Sequence, residues 1–595
     1  MEKRVTLAFV VCIIFVFAYQ WLIGRLYPTP PREAASAEVA EPAKPPTAQV
    51  PEPAAPKAAG LTVAEAQPPF VRETDRQLIE FSNVGAAITR IVVKDYFHKI
   101  GVQPGTPEAR DPANWLTLWE TGDTGKRLLS TTFDASEKIP EALDELPWQV
   151  VAQDPPTFRF QTSTGLTLEK KFELHPGEYY LTVSLSIAPR DQQGTCSLHL
   201  RSGAGLRKEG RAAYARGVSA VLGVKEGDAS TLVTHDVRQL SQPITDQFDS
   251  GRNAIFAGLV NNYFGILLAL DPADVGGVES SVAEAVVDES CVRAKLDALG
   301  EGAQRLGQRE LDEMRNECRT TVFQDIKIAL TRNKTHAFTL FAGPKESELM
   351  ERGVYRTFHQ WVQADYRMMP WINVGLLKLL RWLHGLVSNW GVAIILLTII
   401  VRGTLFPINR YQSKSMAKFQ KVMAKLKPEL DELKQRHKNN PRKFQEAQMK
   451  LMREHNAKPP LMGCLVTLLP IPIFFGLFQV LGTAIELRHA SFGLWVKDLS
   501  QPDSLPLPFS LPLIGNSLNV LPILMMITWF LQTMMTPKPT DPQAAQMQKM
   551  MSFMPFVMAA FLYNYAAGLS IYMVVSSLIA IVQIKFLNVT TPSPT

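Results

Sequence analysis

Ile394-Ile395-Leu396-Leu397-Thr398-Ile399-Ile400-Val401-Arg402-Gly403-Thr404-Leu405-Phe406-Pro407 is the stretch from which the fold can be read. From Ile394 to Val401 there is no charge and a single hydroxyl; then an arginine follows. Extended to Asn389–Ile408, the segment is long enough for a helix rising about 1.5 Å per residue to cross a hydrocarbon core of about 30 Å. An arginine inside such a span costs about 2.5–3.5 kcal/mol on insertion scales and is a functional candidate by default. Arg402 also lies about six residues, roughly 9 Å, from the predicted cytoplasmic end. Snorkelling to the headgroups therefore accounts for it equally well from the residues alone.

Four more apolar segments follow, at Leu461–Gly482, Leu518–Met535, Gln548–Ala566 and Leu569–Leu587. Only Ala567-Gly568 separates the last two, which predicts a tight helical hairpin. At the other end, Met1-Glu2-Lys3-Arg4 precedes an apolar run from Val5 to Gly24. A cleaved signal peptide competes for that run. Its length, with Trp21 and Tyr27 placed as interfacial anchors, favours an uncleaved anchor over residues 1–27. The expected fold is a polytopic α-helical membrane protein of six spans, five of them forming the core at 389–595, with both termini on one side.

Charge sets the orientation. The loop 409–460 holds 14 Lys/Arg against 5 Asp/Glu, whereas Thr483–Ser517 is slightly acidic. The positive-inside rule puts the first loop, Lys3 and Arg4 in the cytoplasm, and residues 28–388 outside. A basic nucleic-acid-binding face is not indicated, since the net charge of +6 is concentrated in that one loop. Within the loop, Met416, Phe419, Met423, Leu426, Leu430 and Leu433 recur every three or four residues, interrupted by Pro428. Asn439-Asn440-Pro441 breaks the pattern before Phe444, Gln448, Leu451 and Met452 begin a second face, which predicts a cytoplasmic helical hairpin.

Between anchor and core, nine of the 33 residues from Pro28 to Gly60 are proline and ten are alanine, the composition of an extended linker, assigned to 28–69. Residues 70–345 then read as a large β-sandwich. Leu181, Val183, Leu185 and Ile187 alternate with polar residues, and His175-Pro176-Gly177-Glu178 makes Leu166–Leu174 and Tyr179–Ile187 a hairpin. Ile255–Leu270 and Thr321–Phe341 are further strand-like runs, and Leu296–Asn316 looks helical. In 346–388, Val374–Leu386 carries Lys378 and Arg381 on one face and leucines with Trp382 elsewhere, as expected of a helix in the membrane interface. Packing within the outer domain is the other reading of that helix. The cysteines are dispersed, with no metal-ligand spacing; Cys291 and Cys318 could pair in an oxidising compartment or remain free thiols.

Other polar groups punctuate the spans. Thr398 stands one turn above Arg402, and Ser576 and Ser577 lie mid-span; Gln479, Asn564 and Tyr572 fall nearer the outer ends. Singly, each is commonly a helix-packing contact. With Arg402, the deeper ones could line a hydrated groove entered from the cytoplasm, and the outer ones its closed end.

The segment Asn389-Trp390-Gly391-Val392-Ala393-Ile394-Ile395, continuing to Val401-Arg402-Gly403, resembles the arginine-bearing span of the YidC family of membrane protein insertases. Ser415-Met416-Ala417-Lys418, Pro470-Ile471-Pro472-Ile473-Phe474, Glu486-Leu487-Arg488, Trp495-Val496-Lys497-Asp498-Leu499-Ser500 and Asp541-Pro542 with Met547 through Met554-Pro555 extend the resemblance, in order, across roughly Leu379–Leu587. It implies an inner-membrane insertase and chaperone of the Gram-negative form, with a β-supersandwich periplasmic domain, and no enzyme, cofactor or metal. It also implies a groove lined by Arg402, Thr398, Gln479, Asn564, Tyr572 and Ser576. The implied partners are nascent membrane proteins, the lipid bilayer, the Sec translocon, and the ribosome through 409–460. Two departures stand out: Ala566-Ala567-Gly568 replaces the family's Pro-Ser-Gly, and Tyr572-Met573 replaces paired aromatics. The tail Asn588–Thr595 lacks basic residues, so ribosome binding would fall to the hairpin. The other classes weighed are a membrane-anchored glycan-binding protein and a transporter. Ser415-x-x-Lys418 alone hints at a hydrolase, without any supporting motif.

Overall fold

A computed structural model describes residues 64–590, apart from internal stretches of which the longest are 207–217, 271–277, 297–318 and 456–469. The anchor at 1–27, most of the linker, nearly all of the helix expected at Leu296–Asn316, and four of the five cysteines lie outside the described residues. The fifth, Cys196, is a buried free thiol.

Period-two alternation builds the β domain as expected. Thr167–Leu174 and Tyr180–Ala188 pair antiparallel, with Thr167 opposite Ala188 and Leu174 opposite Leu181. They sit inside a nine-stranded sheet that runs from Ala229–Asp236 at one edge to Gln149–Gln153 at the other. A five-stranded sheet, centred on Arg319–Thr331, packs against it around Leu198, Leu200, Phe256, Leu259, Phe323 and Ile326. A third, four-stranded sheet over Phe70–Glu120 adds to the sandwich, joined where Gln77 Nε2 donates to Ala342 O at 2.6 Å.

Two strand-like runs divide where side chains make turns. Ile255–Leu270 becomes Asn253–Val260 and Phe264–Ala269, because Asn261 Oδ1 accepts from the backbone N–H groups of Tyr263 and Phe264 at 2.9 and 2.8 Å. Thr321–Phe341 becomes Arg319–Thr331 in the five-stranded sheet and Thr335–Pro344 in the nine-stranded one, with Asn333 at φ 66° where the chain crosses. Glu65 and Gln67, read as the end of the linker, are held to the domain by Asn83.

Among the helices, four expectations change. Trp390–Arg436 is one helix of 47 residues, so the first core span and the first arm of the hairpin are continuous. Pro407 and Pro428 lie within it and do not end it, since each removes one donor without barring helical φ. The hairpin then closes at Pro441–Glu454, with Leu426 and Leu451 buried between Val422, Leu430, Leu433 and Met452. The expected span Gln548–Ala566 is instead two helices, Pro542–Met551 and Met554–Phe561, the second starting with Pro555 in its first turn, where a missing N–H costs nothing. Five residues, not two, join it to the last helix, Ala567–Thr590, which takes Ala567-Gly568 into its own first turn.

Two described helical stretches, Trp390–Tyr411 and Ala567–Lys585, are long and apolar enough to cross a membrane; Pro472–Thr483 and Val520–Met535 are apolar but shorter. The expected span Leu461–Gly482 is described only from Pro470, in the helix Pro470–Thr483. Pro370–Val387 forms the expected amphipathic helix with its faces differently used. Leu376, Leu377, Leu380 and Leu383 are buried against protein, while Trp371, Lys378 and Trp382 face outward. Nor does the β domain stand clear of the core, for Arg488 Nη2 donates to Phe97 O at 3.0 Å.

Candidate functional site: a half-buried arginine among apolar helices

Asn389 starts the long helix by accepting from Val392 N–H at 3.1 Å, and Arg402 follows about 18 Å further along the axis. The last helix packs beside it. Arg402 Nε donates to Ser576 Oγ at 2.6 Å and Nη2 donates to the same oxygen. Tyr572, one turn earlier than Ser576 and buried, reaches that serine and lies within electrostatic range of the guanidinium. Ser577 is buried next door. A guanidinium carries five N–H donors, and Ser576 is its hydrogen-bond partner among the described residues, so donor capacity is left over.

The remaining expected residues split into separate settings. Thr398 is fully buried, and its hydroxyl donates back to Ile394 O at 2.7 Å, one turn up its own helix. Gln479 Oε1 accepts from Asn373 Nδ2 at 2.7 Å, which ties Pro470–Thr483 to the amphipathic helix rather than to Arg402. Asn564 Oδ1 accepts from Asn519 Nδ2 at 3.3 Å at the outer end. The structure thus joins Arg402, Ser576 and Tyr572, keeps Thr398 one turn away, and places Gln479 and Asn564 elsewhere.

That outer end holds a network the sequence did not announce. Asp503 Oδ2 accepts from Trp495 Nε1 at 2.8 Å and from the N–H groups of Val520 and Leu521 at 2.8 and 2.9 Å, capping Val520–Met535. The first N–H groups of the last helix donate to Gln501 O and Leu499 O at 2.8 and 2.9 Å. Arg381, read with Lys378 on one face of an interfacial helix, instead bridges Glu486 of the core and Glu348, just past the end of the β domain. Only a "buried side of an amphipathic helix" signal could have found it, because its two partners are remote in sequence.

Around the cluster, large apolar side chains face outward, Ile399, Ile400, Phe475, Ile527, Val557 and Leu578 among them. In water such a surface would be costly; against lipid it is not. Among the described residues no group of three or more His, Cys, Asp or Glu is placed to hold a metal ion.

Two family models cover nearly all of this architecture: the YidC periplasmic domain over residues 72–379, and the 60Kd inner membrane protein over residues 382–593. The chain belongs to the YidC family. It is an inner-membrane protein. A YidC from Geobacter metallireducens, named a membrane protein insertase, is 27% identical over 99% of this chain and 98% of its own length. One of the same name from Syntrophobacter fumaroxidans is 36% identical over 49% of this chain, which spans about half (50%) of that relative. A solved YidC insertase with its first transmembrane domain resolved matches at 17% identity and a TM-score of 0.31, over 90% of this chain and 95% of that one. The relatives' shared name describes insertion, which is not an enzymatic reaction.

Proposed function

We propose that this chain inserts nascent membrane proteins into the inner membrane and assists their folding, using Arg402 as the cation of a groove open to the cytoplasm. The observation that carries the reading is the guanidinium held by one serine, in a wall of outward-facing apolar side chains. A polar or acidic stretch of a client is drawn to the unfilled donors of Arg402, with Ser576 and Tyr572 beside it. The client's apolar segment leaves sideways along the apolar helices, and its own burial in lipid supplies the free energy. No nucleotide enters this cycle.

In this reading six spans cross the membrane, five form the core, both termini are cytoplasmic, and 28–388 is periplasmic. Thr398, fully buried one turn above Arg402, packs behind the groove wall, while Gln479 and Asn564 belong to its closed outer end. The basic hairpin 409–460 meets the ribosome, and the Sec translocon is the partner for larger clients. The test is protease-protected insertion of a small membrane protein into liposomes containing only the full chain. Insertion above that of empty liposomes supports an autonomous insertase; insertion equal to that of empty liposomes removes it.

A further inference from the structure

The turn Ser491–Val496 presents a side chain that its own loop does not use. Leu494 is 88% exposed and sits at φ 55°, directly after Gly493 at φ 125°. For a leucine both terms are unfavourable in water. The left-handed backbone crowds its Cβ, and the isobutyl group stays hydrated. Glycine or asparagine would satisfy such a turn at lower cost.

The turn is nevertheless rigidly seated. Phe492 N–H donates to Val496 O at 3.2 Å and Val496 N–H to Gly493 O at 3.1 Å. Asn389 Nδ2, at the cap of the long spanning helix, donates toward Phe492 O at 3.3 Å. Phe492 lies so close to Gly391 that a Cβ there would meet its ring at 2.1 Å. The tip is therefore fixed beside the first turn of the long helix. Three other exposed apolar side chains, Trp371, Trp382 and Leu386, belong to Pro370–Val387, whose end leads straight into Asn389. Lys497, exposed three residues beyond the tip, is placed to meet phosphate.

We propose that the turn Ser491–Val496 is a lipid-inserting finger, with Leu494 seated in the outer leaflet of the bilayer at the level of Trp382 and Leu386. The occupant is phospholipid because the tip continues the apolar surface of the spanning helix, to whose cap it is fastened. Aromatic and aliphatic groups with a nearby lysine are the composition that interfaces favour. The finger would fix the depth of the core from outside. This inference rests on membrane residence, not on insertion activity.

The test uses the full chain with its five native cysteines replaced by serine and a nitroxide label on Leu494→Cys, in phosphatidylethanolamine/phosphatidylglycerol liposomes. Labels on Val151→Cys of the β domain and Val582→Cys of the last helix give the aqueous and lipid references. The expected ratio of oxygen to nickel-complex accessibility at 494 lies near that at 582. A ratio near that at 151 would overturn the proposal, and a label shielded from both reagents would mean that protein covers the tip, which also overturns it.

Discussion

Each half of the molecule withdraws a basic side chain from water with no carboxylate partner among the described residues, Lys170 fully and Arg402 in part, and the two are treated in opposite ways. In the β domain Lys170 is fully buried, yet its Nζ donates to Ala86 O, Leu129 O and Thr131 Oγ1 at 3.2, 2.7 and 2.8 Å, with the Trp148 ring 5.3 Å away. Every proton of that ammonium has an acceptor: from its strand in the nine-stranded sheet, Lys170 reaches the turn before Ala87–Phe97, the turn at Leu129 and Thr131 of the five-stranded sheet. Among the described residues, Arg402 has five donors and one acceptor, Ser576. A saturated cation is a structural clamp; an unsaturated one is left able to bind. On the proposed function, the difference separates a domain held together by its polar contacts from a core that receives a client.

The strongest way to break this comparison is to truncate the clamp. Lys170→Ala leaves two carbonyls and a hydroxyl unpartnered around a cavity, and should cost about 3 kcal/mol. A thermal melt of the full chain in detergent checks it, and an unchanged melting temperature would mean that Lys170 is not a clamp. Arg402→Ala, by contrast, should leave the melt nearly where it was, since Ser576 alone loses a donor.

Burial pushes the Lys170 ammonium down to about 7. The unfolded chain holds that proton up to about pH 10.4, so between about pH 7 and 10.4 it binds more protons than the folded one. The stability this group contributes is therefore full above that window and is lost as pH falls toward 7. Lys170→Met should flatten the corresponding slope, by about 2 kcal/mol or more across the window. Equal slopes for the two proteins would deny the shift.

A smaller effect tests the junction between the two regions. Arg381 joins Glu486 of the core to Glu348, which follows the last strand of the β domain, and its side chain is mostly buried. A double-mutant cycle of Arg381→Ala with Glu486→Ala should give a coupling of about 1–2 kcal/mol. Additive effects would make the bridge incidental.

What the sequence made legible divides along the same line. Repeating patterns were readable: the alternation at Leu181–Ile187, the apolar stretch at Ile394–Val401, and the hairpin seam of Leu426, Leu430 and Leu451. Arg402 stood out because a charge among aliphatics is rare, and Ser576, read as one of the deeper groups, lies against it; Tyr572, read as nearer the outer end, also sits beside it because it stands one turn from Ser576 on the same helix. Contacts between remote residues were not legible. Nothing near Gln479 points to Asn373, and nothing near Asp503 marks it as the cap of Val520–Met535. The break after Met551 turned on Pro555, whose position fits a first helical turn as well as a kink. Lys170 did leave a trace, since it occupies the inward phase between Leu168 and Phe172.

The central claim is that the unfilled donors of Arg402 receive polar parts of a client. It is tested most directly by insertion into liposomes of two clients that differ only in whether the translocated segment carries carboxylates or amides, with wild-type chain beside Arg402→Ala. The account predicts that the alanine slows the acidic client by about tenfold, equivalent to about 1.4 kcal/mol, and barely affects the amide client. Equal rates for wild type and variant with both clients would contradict it.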